Sequence, residues 1–393
     1  MTKILSPTPD NVELVAQVLG QGGIAAIPTE TVYGLAGLAL HPEALAHIFD
    51  SKERPHFDPL IVHIPTLWKS LAALDEANLV DSKMLGPLAK KRADLLIHEL
   101  WPGPLTLVLP KNALVPDICT SGLPTVALRM PRHPLTQRLL ELLGQPLAAP
   151  SANRFGRISP TSAKDVLSEL DGRIQYILDG GKCEIGVEST VIAIAPDGTV
   201  TLLRPGGTPI EAIEALLEIP LVRQERVSTH APEAPGMIES HYAPRKPLIL
   251  LSAPVLELSD LPETLQPGTL QSRFASGKIG LLVASGNKSQ SALKLQELCG
   301  SPVIARSLCA ADWNAAEASR NLFSQMRFLD EFDIDLIVAE PCPGPSAKDG
   351  LGFAIMDRLT RAAAPRNAPM EDLPEAPIEK KAEKKTGLKK KAK

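Results

Sequence analysis

Four cations and a set of hydroxyls in the first half of the chain have the types and spacing that could do chemistry. They are Lys52, Arg54, Arg129 and Arg204 among Thr31, Thr125, Ser151, Ser159 and Ser189. A lysine is a point charge and an arginine a planar fork, and together they suit the oxygens of a phosphate or a carboxylate. The missing patterns narrow the chemistry. The chain has no G-x-S-x-G, no G-x-x-x-x-G-K-[ST] and no His/Cys/Glu cluster at metal-ligand spacing. No nucleophile stands beside an obvious base. The set therefore suits orientation and charge stabilisation of a phosphorylated ligand rather than covalent catalysis. Plainer readings remain open on spacing alone. Lys52 and Arg54 end a helix, where a cation favours the dipole by about 0.3–1 kcal/mol. Arg129 can be an edge-strand arginine reaching solvent.

The elements that must position these residues begin with residues 22–64. Residues 24–27 are a short apolar run, as in a buried strand. Beyond Pro28, Thr29, Thr31 and Tyr33 alternate with Glu30, Val32 and Gly34. On an extended backbone that puts the three hydroxyls on one side. Pro42 and the stripe Ala44, Leu45, Ile48 and Phe49 predict a helix running into Lys52-Glu53-Arg54-Pro55. A second apolar run, 60–64, carries His63, whose plain alternative is a core histidine with a satisfied ring. A strand–helix–strand unit thus gathers hydroxyls, two cations and a histidine. In residues 125–130, Val126, Leu128 and Met130 face one way, and Thr125, Ala127 and Arg129 the other. Ser151 and Asn153 sit in a turn after a strand at 147–149, the kind of strand end where ligands gather. Ser159 lies in a polar loop before a helix that Ser162 and Asp165 cap. Ser189 and Arg204 flank a hairpin of residues 190–195 and 199–203.

Length and composition bound the rest. The 393 residues, 44% hydrophobic, predict two or three domains. Residues 1–218 form the first, 219–246 a proline-broken linker with Tyr242 inside it, and 247–364 a smaller αβ alternation with strands at 248–251, 279–284, 303–306 and 335–339. From 365 to 393 the chain reads as a disordered tail. Residues 379–393 hold eight Lys and two Glu, so the net charge of −4 conceals a body at −10. An acidic body with 4% aromatics is a poor dedicated nucleic-acid binder, although weak attraction of the tail to RNA or anionic surfaces is an alternative. No apolar stretch reaches the ~18 residues of a membrane span. Five cysteines without a C-x-x-C pair fit a reducing cytoplasm.

The wording of the motifs goes further than their spacing. PTETVYGL at 28–35, K-x-R-P at 52–55, DPLIVHI at 58–64, LRMP at 128–131, APSANRFGRISPT at 149–161, GVESTV at 186–191, LLRPGG at 202–207 and PGMIESHYAP at 235–244 together resemble the threonylcarbamoyl-AMP synthase family, in its long two-domain form. The resemblance implies a YrdC-like N-terminal domain, a twisted mixed sheet with helices, and a smaller Rossmann-like parallel α/β domain. It implies that L-threonine, bicarbonate or CO2 and ATP become L-threonylcarbamoyl-adenylate and pyrophosphate. Mg2+ would be carried with ATP, and the product passed to a separate tRNA threonylcarbamoyl transferase for adenosine 37 of tRNA. Matched by motif, Thr31, His63, Arg129 and Ser189 resemble the threonine-binding group, with Ala149 lining it. Lys52, Arg54, Asp58, Thr125, Ser151, Ser159 and Arg204 resemble the ATP group, with Asn153 beside them, Lys52 and Arg54 as its catalytic pair, and Tyr242 as a lid from the linker. Asp58 departs from the Asn usual in this family. Two other functions stand beside this one: an RNA-binding or ribosome-assembly module using the lysine tail, and a carbamoyl-transfer enzyme of the same fold.

Overall fold

The computed structural model describes residues 1–223, 241–273, 277–344 and 350–364. The lysine-rich tail and most of the expected linker lie outside these. Within them, β1 (Lys3–Leu5), β2 (Ala25–Ile27), β3 (Gly34–Leu38), β4 (Ile61–His63), β5 (Leu105–Pro110), β6 (Thr125–Arg129), β7 (Leu147–Ala148), β8 (Tyr176–Leu178), β9 (Thr190–Ile194), β10 (Val200–Arg204) and β11 (Val222–Arg223) form one mixed sheet. Its order is β1-β8-β2-β3-β7-β4-β6-β5-β9-β10-β11. A second sheet of β12 (Leu248–Leu250), β13 (Ile279–Val283), β14 (Val303–Ser307) and β15 (Leu336–Ala339) runs β12-β15-β13-β14, with every pair parallel. The expected architecture is therefore present: a large mixed α/β sheet and a smaller parallel one.

Local chemistry explains the helices that frame the site. Pro9–Gly20, Pro42–Lys52, Pro87–Leu100 and Pro134–Leu143 all open on proline, whose missing N–H is no loss in a first turn. Ser162 Oγ accepts from the Asp165 amide at 3.3 Å, while the Asp165 carboxylate accepts from the Thr161 amide at 2.9 Å. That is a capping box closed one residue upstream of its usual form.

Alternation along the central strands divides the large sheet. Val62, Leu107, Leu128 and Ile192 face the main core. Ile61, Val108, Ala127, Val191 and Leu203 form a separate small apolar platform, and on that side lie His63 and Arg129, two residues further along β4 and β6. The two domains are packed together. Val32, Ile158 and Val187 of the first share a core with Leu322, Phe323 and Met326 of the second. Each such side chain contributes about 1.5–3 kcal/mol on leaving water.

Two expectations for the opening unit need correction. Residues 28–33 bend rather than extend, and Gly34–Leu38 is a strand antiparallel to β2. The unit is therefore strand–strand–helix–strand. The three hydroxyls consequently do not share a face. Thr29 Oγ1 meets Thr31 Oγ1 at 2.8 Å, whereas the Tyr33 hydroxyl donates to the Gly181 carbonyl at 2.7 Å. Val222–Arg223, expected in the linker, pairs in parallel with β10 as the sheet edge.

Candidate active site

The parallel pairing of β4 with β6 sets His63 opposite Arg129, and antiparallel β5 sets Thr106 on the other side of Arg129. Arg129 is only 4% exposed, and three of its contacts fix the guanidinium. Nη1 donates to Thr31 Oγ1 at 2.8 Å, Nη2 is ion-paired with Glu30 Oε1 at 2.7 Å, and Nε reaches the Gly103 carbonyl at 3.4 Å. Nη2 is ion-paired but makes no hydrogen bond, and Nη1 spends one of its two N–H groups on Thr31, so both terminal nitrogens keep donors that a carboxylate could take. Glu30 also accepts from the Arg132 amide at 3.1 Å. Burial alone would push the Glu30 carboxyl up. The charge and hydrogen bond of Arg129, with the backbone amides, outweigh that and hold it below the usual range.

Arg54 and Arg204 approach the same space. Arg54 follows a helix whose last residue is Lys52 and whose cap, Glu53, is left-handed at φ 52°. Its Nε and Nη2 are held by the Asp58 and Pro59 carbonyls at 3.1 and 2.7 Å, and Asp58 closes an ion pair at 2.8 Å. Asp58 therefore anchors an arginine. Arg204 comes from a strand with a register shift between Leu202 and Arg204, a bulge that re-aims the side chain. Its Nη2 donates to the Ser189 carbonyl at 3.0 Å and hydroxyl at 3.2 Å. Ser189 Oγ in turn meets Thr106 Oγ1 at 2.7 Å.

One cavity of about 50 Å³ joins these groups. Thr31, Arg54, His63, Arg129, Ala149, Ser151, Ser189, Arg204 and Tyr242 line it. Five other candidates do not. Lys52 is buried beneath it, its Nζ donating to the Ser151 and Asn153 carbonyls. Burial first, then the like charge of Arg54, pull its ammonium well below the ordinary value. Lys52 thus fixes the turn that carries Ser151. Asn153 holds the following loop through the Arg154 and Arg157 carbonyls at 2.7 and 2.9 Å. Ser159 donates to Glu188 at 2.5 Å, and Asp58 backs Arg54. Thr125 begins β6, four residues before Arg129 on the same strand face, about 13 Å away at strand rise.

Val32, Ile61, Pro150, Glu188 and His241 also line the cavity. Ile61 was open to inference, being two residues before His63 on one strand. Glu188 was not, because its role comes from distant partners. Tyr242 is 1% exposed with φ 63°, unusual for a non-glycine. Its ring lies 4.1 Å from His241 and 5.6 Å from Phe323 of the second domain. With both linker residues inside, the cavity is far below the ~300–1,000 Å³ of ordinary ligand clefts.

His63 is neutral here. Its Nδ1 lies 3.3 Å from the Ile61 carbonyl, which can only accept, so Nδ1 carries the proton and Nε2 keeps a lone pair. Burial, then the charge of Arg129, push its pKa down to about 3. The unfolded ring titrates near 6.5, so in acid the unfolded state binds a proton that the folded state refuses. Stability is lost as pH falls. Between pH 7.5 and 5 the wild type should lose about 2 kcal/mol that a His63→Gln variant keeps. Denaturant titrations of both proteins at the two pH values measure this, and identical losses would refute neutral burial.

The chain is also similar to known proteins over almost its whole length. Residues 17–206 match the family model described as "Telomere recombination", and residues 208–364 match that of the "Threonylcarbamoyl-AMP synthase, C-terminal domain". The chain is 38% identical over 359 residues to the threonylcarbamoyl-AMP synthase of Pyrococcus abyssi, covering 90% of this chain and 94% of the relative. It is 38% identical over 370 residues to that of Bacillus subtilis, covering 93% and 96%. The structure resembles that of P. abyssi Sua5 complexed with L-threonine, with a TM-score of 0.77 and 35% identity over 92% of this chain and 98% of that one. A form of the same protein with an adjacent His and Tyr changed to alanine matches at a TM-score of 0.74 and 33% identity, over 92% and 96%. The chain, through both of its domains, belongs to the threonylcarbamoyl-AMP synthase family of enzymes.

Proposed function

We propose that the chain joins L-threonine, CO2 from bicarbonate, and ATP into L-threonylcarbamoyl-adenylate, releasing pyrophosphate. The observation that carries this reading is that Arg129, Arg54 and Arg204 share one buried cavity with Thr31, His63 and Ser189. The remaining fork of Arg129 takes the threonine carboxylate. Thr31 and Ser189 orient the amino acid, and the bare Nε2 of His63 accepts from its amine. The amine nitrogen attacks CO2 and loses a proton to solvent, giving a carbamate. A carbamate oxygen then attacks the α-phosphorus, and pyrophosphate leaves with the electrons of the broken P–O bond. Arg54 and Arg204 meet the charge that gathers on the phosphoryl oxygens.

The described residues do not fit a resident metal. They contain no group of three metal-ligating side chains, and the carboxylates beside the arginines, Glu30, Asp58 and Glu188, are ion-paired with Arg129, Arg54 and Arg358. Magnesium is therefore read as arriving on the triphosphate, as part of the substrate. The adenylate would be consumed by a separate transferase that modifies adenosine 37 of tRNA. No helix among the described residues is long and apolar enough to cross a membrane.

Incubating the purified chain with threonine, bicarbonate, ATP and Mg2+ tests the reading. Pyrophosphate should appear only with all three substrates, together with a product of the mass of the mixed anhydride. Release that ignores threonine would end it.

A further inference from the structure

Residues 184–189, which lead into β9, run against the second domain. Gly186 has φ +81°, and a Cβ there would lie 2.5 Å from both the Arg320 Cα and the Ser319 carbonyl oxygen, so backbone packs on backbone. Arg320 Nε donates to the Glu184 carbonyl at 3.0 Å, and Val187 is buried in the second domain's core. The next residue, Glu188, lines the cavity. Its Oε1 accepts from the Ser159 hydroxyl at 2.5 Å and its Oε2 from Arg358 Nε at 3.0 Å. Arg358 stands on the second domain's helix Gly350–Ala363 and is fully buried. It also donates through Nη1 to the Pro205 carbonyl at 2.5 Å, and its guanidinium lies 5.3 Å from the Tyr242 ring centre.

We propose that Arg358 is a positioning residue for the nucleotide half of the reaction, through which the second domain sets Ser159, Arg204 and Tyr242 without itself lining the cavity. The inference rests on reading Arg204 and Tyr242, which line the cavity, as nucleotide contacts, with Ser159 buried behind the wall that Glu188 forms. Apart from the Asp357 carboxylate of its own helix, which Nη1 meets at 3.2 Å, its contacts bear on those three. Glu188 holds Ser159, Pro205 follows Arg204, and Tyr242 lies beside the guanidinium. Arg358 also neutralises Glu188, a wall carboxylate that would otherwise repel a triphosphate in a medium that screens poorly. None of its contacts falls on Thr31, His63 or Arg129. It reaches the threonine side only indirectly, through Ser189, which follows Glu188 and is held by Arg204, so its loss should weaken ATP far more than threonine, which a merely structural residue would not do.

The test uses the full chain and measures KM for ATP and for threonine by pyrophosphate release, with threonine affinity also taken by calorimetry. Arg358→Ala should raise the ATP KM about 10- to 100-fold, the loss expected for one charged hydrogen bond, and leave threonine affinity within about twofold. Because that variant strands a buried carboxylate, Arg358→Met combined with Glu188→Gln is measured beside it. This pair should fold with near wild-type stability and still bind ATP weakly. Arg358→Lys keeps the charge on Glu188 but cannot hold Glu188 and Pro205 as a fork does, so its ATP KM should rise severalfold. A folded variant with wild-type ATP KM, or one losing both substrates equally, would overturn the proposal. A wild-type chain releasing no pyrophosphate would instead overturn the reading beneath it, and this inference with it.

Discussion

Arg129→Ala should lower kcat/KM for threonine by about 10²- to 10³-fold and separately cost about 3–5 kcal/mol of folding stability. The two losses have different origins. The first is the donor capacity that Nη1 and Nη2 keep beyond the contacts with Thr31, Glu30 and Gly103, a planar pair of nitrogens suited to a carboxylate. The second concerns Glu30, 3% exposed, which keeps the Arg132 amide but loses its paired cation. A second variant separates them. Arg129→Met with Glu30→Gln removes both charges, and much of the stability should return, because a buried ion pair is often replaceable by well-packed neutral side chains. Threonine-dependent turnover should not return. Denaturation curves for the three proteins, set beside pyrophosphate release against threonine concentration, check both halves. Recovery of turnover in the charge-free pair would mean that Arg129 only supports the fold.

The course of these residues through the sequence shows what was open to inference and what was not. The strand 125–129 was legible because period-two alternation is local: Val126 and Leu128 had to face the core, so Arg129 had to face away. His63 and Thr31 came from motif wording, since one histidine in an apolar run is otherwise a core residue. β3 escaped because Gly34–Leu38, GLAGL, has no β-branched or aromatic residue to mark a strand. β1 escaped because it is three residues at an edge. Tyr33 was misplaced because alternation fixes a face only on an extended backbone, and residues 28–33 bend. The alternation of the C-terminal strands was readable, and all four are present. What sits between the domains was not. Glu188 and Arg358 are 170 positions apart, and nothing within either segment signals that they meet. Lys52 shows the same limit in reverse. Its motif marks it as important, but its ammonium serves two carbonyls of a turn about a hundred residues away, outside the cavity lining.

Arg54→Ala should reduce kcat by about 10²- to 10³-fold, the range for removing one preorganised charge from a developing transition state, with the threonine KM held within about twofold. The asymmetry follows from how Arg54 is fixed. Nε and Nη2 are tied to the Asp58 and Pro59 carbonyls of its own loop, and the Asp58 carboxylate holds the guanidinium from the same side. The charge is therefore in place before substrate arrives and need not reorganise when the α-phosphoryl oxygens gain charge. Arg54 makes no hydrogen bond to Thr31, His63 or Arg129, so it has no lever on the resting amino acid. The anchor can be tested alone. Asp58→Asn keeps a side chain of the same shape but halves the tether, and should give a kcat between those of the wild type and Arg54→Ala. Arg54→Lys keeps the charge but loses the planar fork, and should stay closer to alanine than to arginine. Steady-state kinetics on the three variants decide the matter. If Arg54→Ala kept its kcat and raised only the threonine KM, Arg54 would belong to the amino-acid end of the cavity, and the division of labour between Arg129 and Arg54 would have to be redrawn.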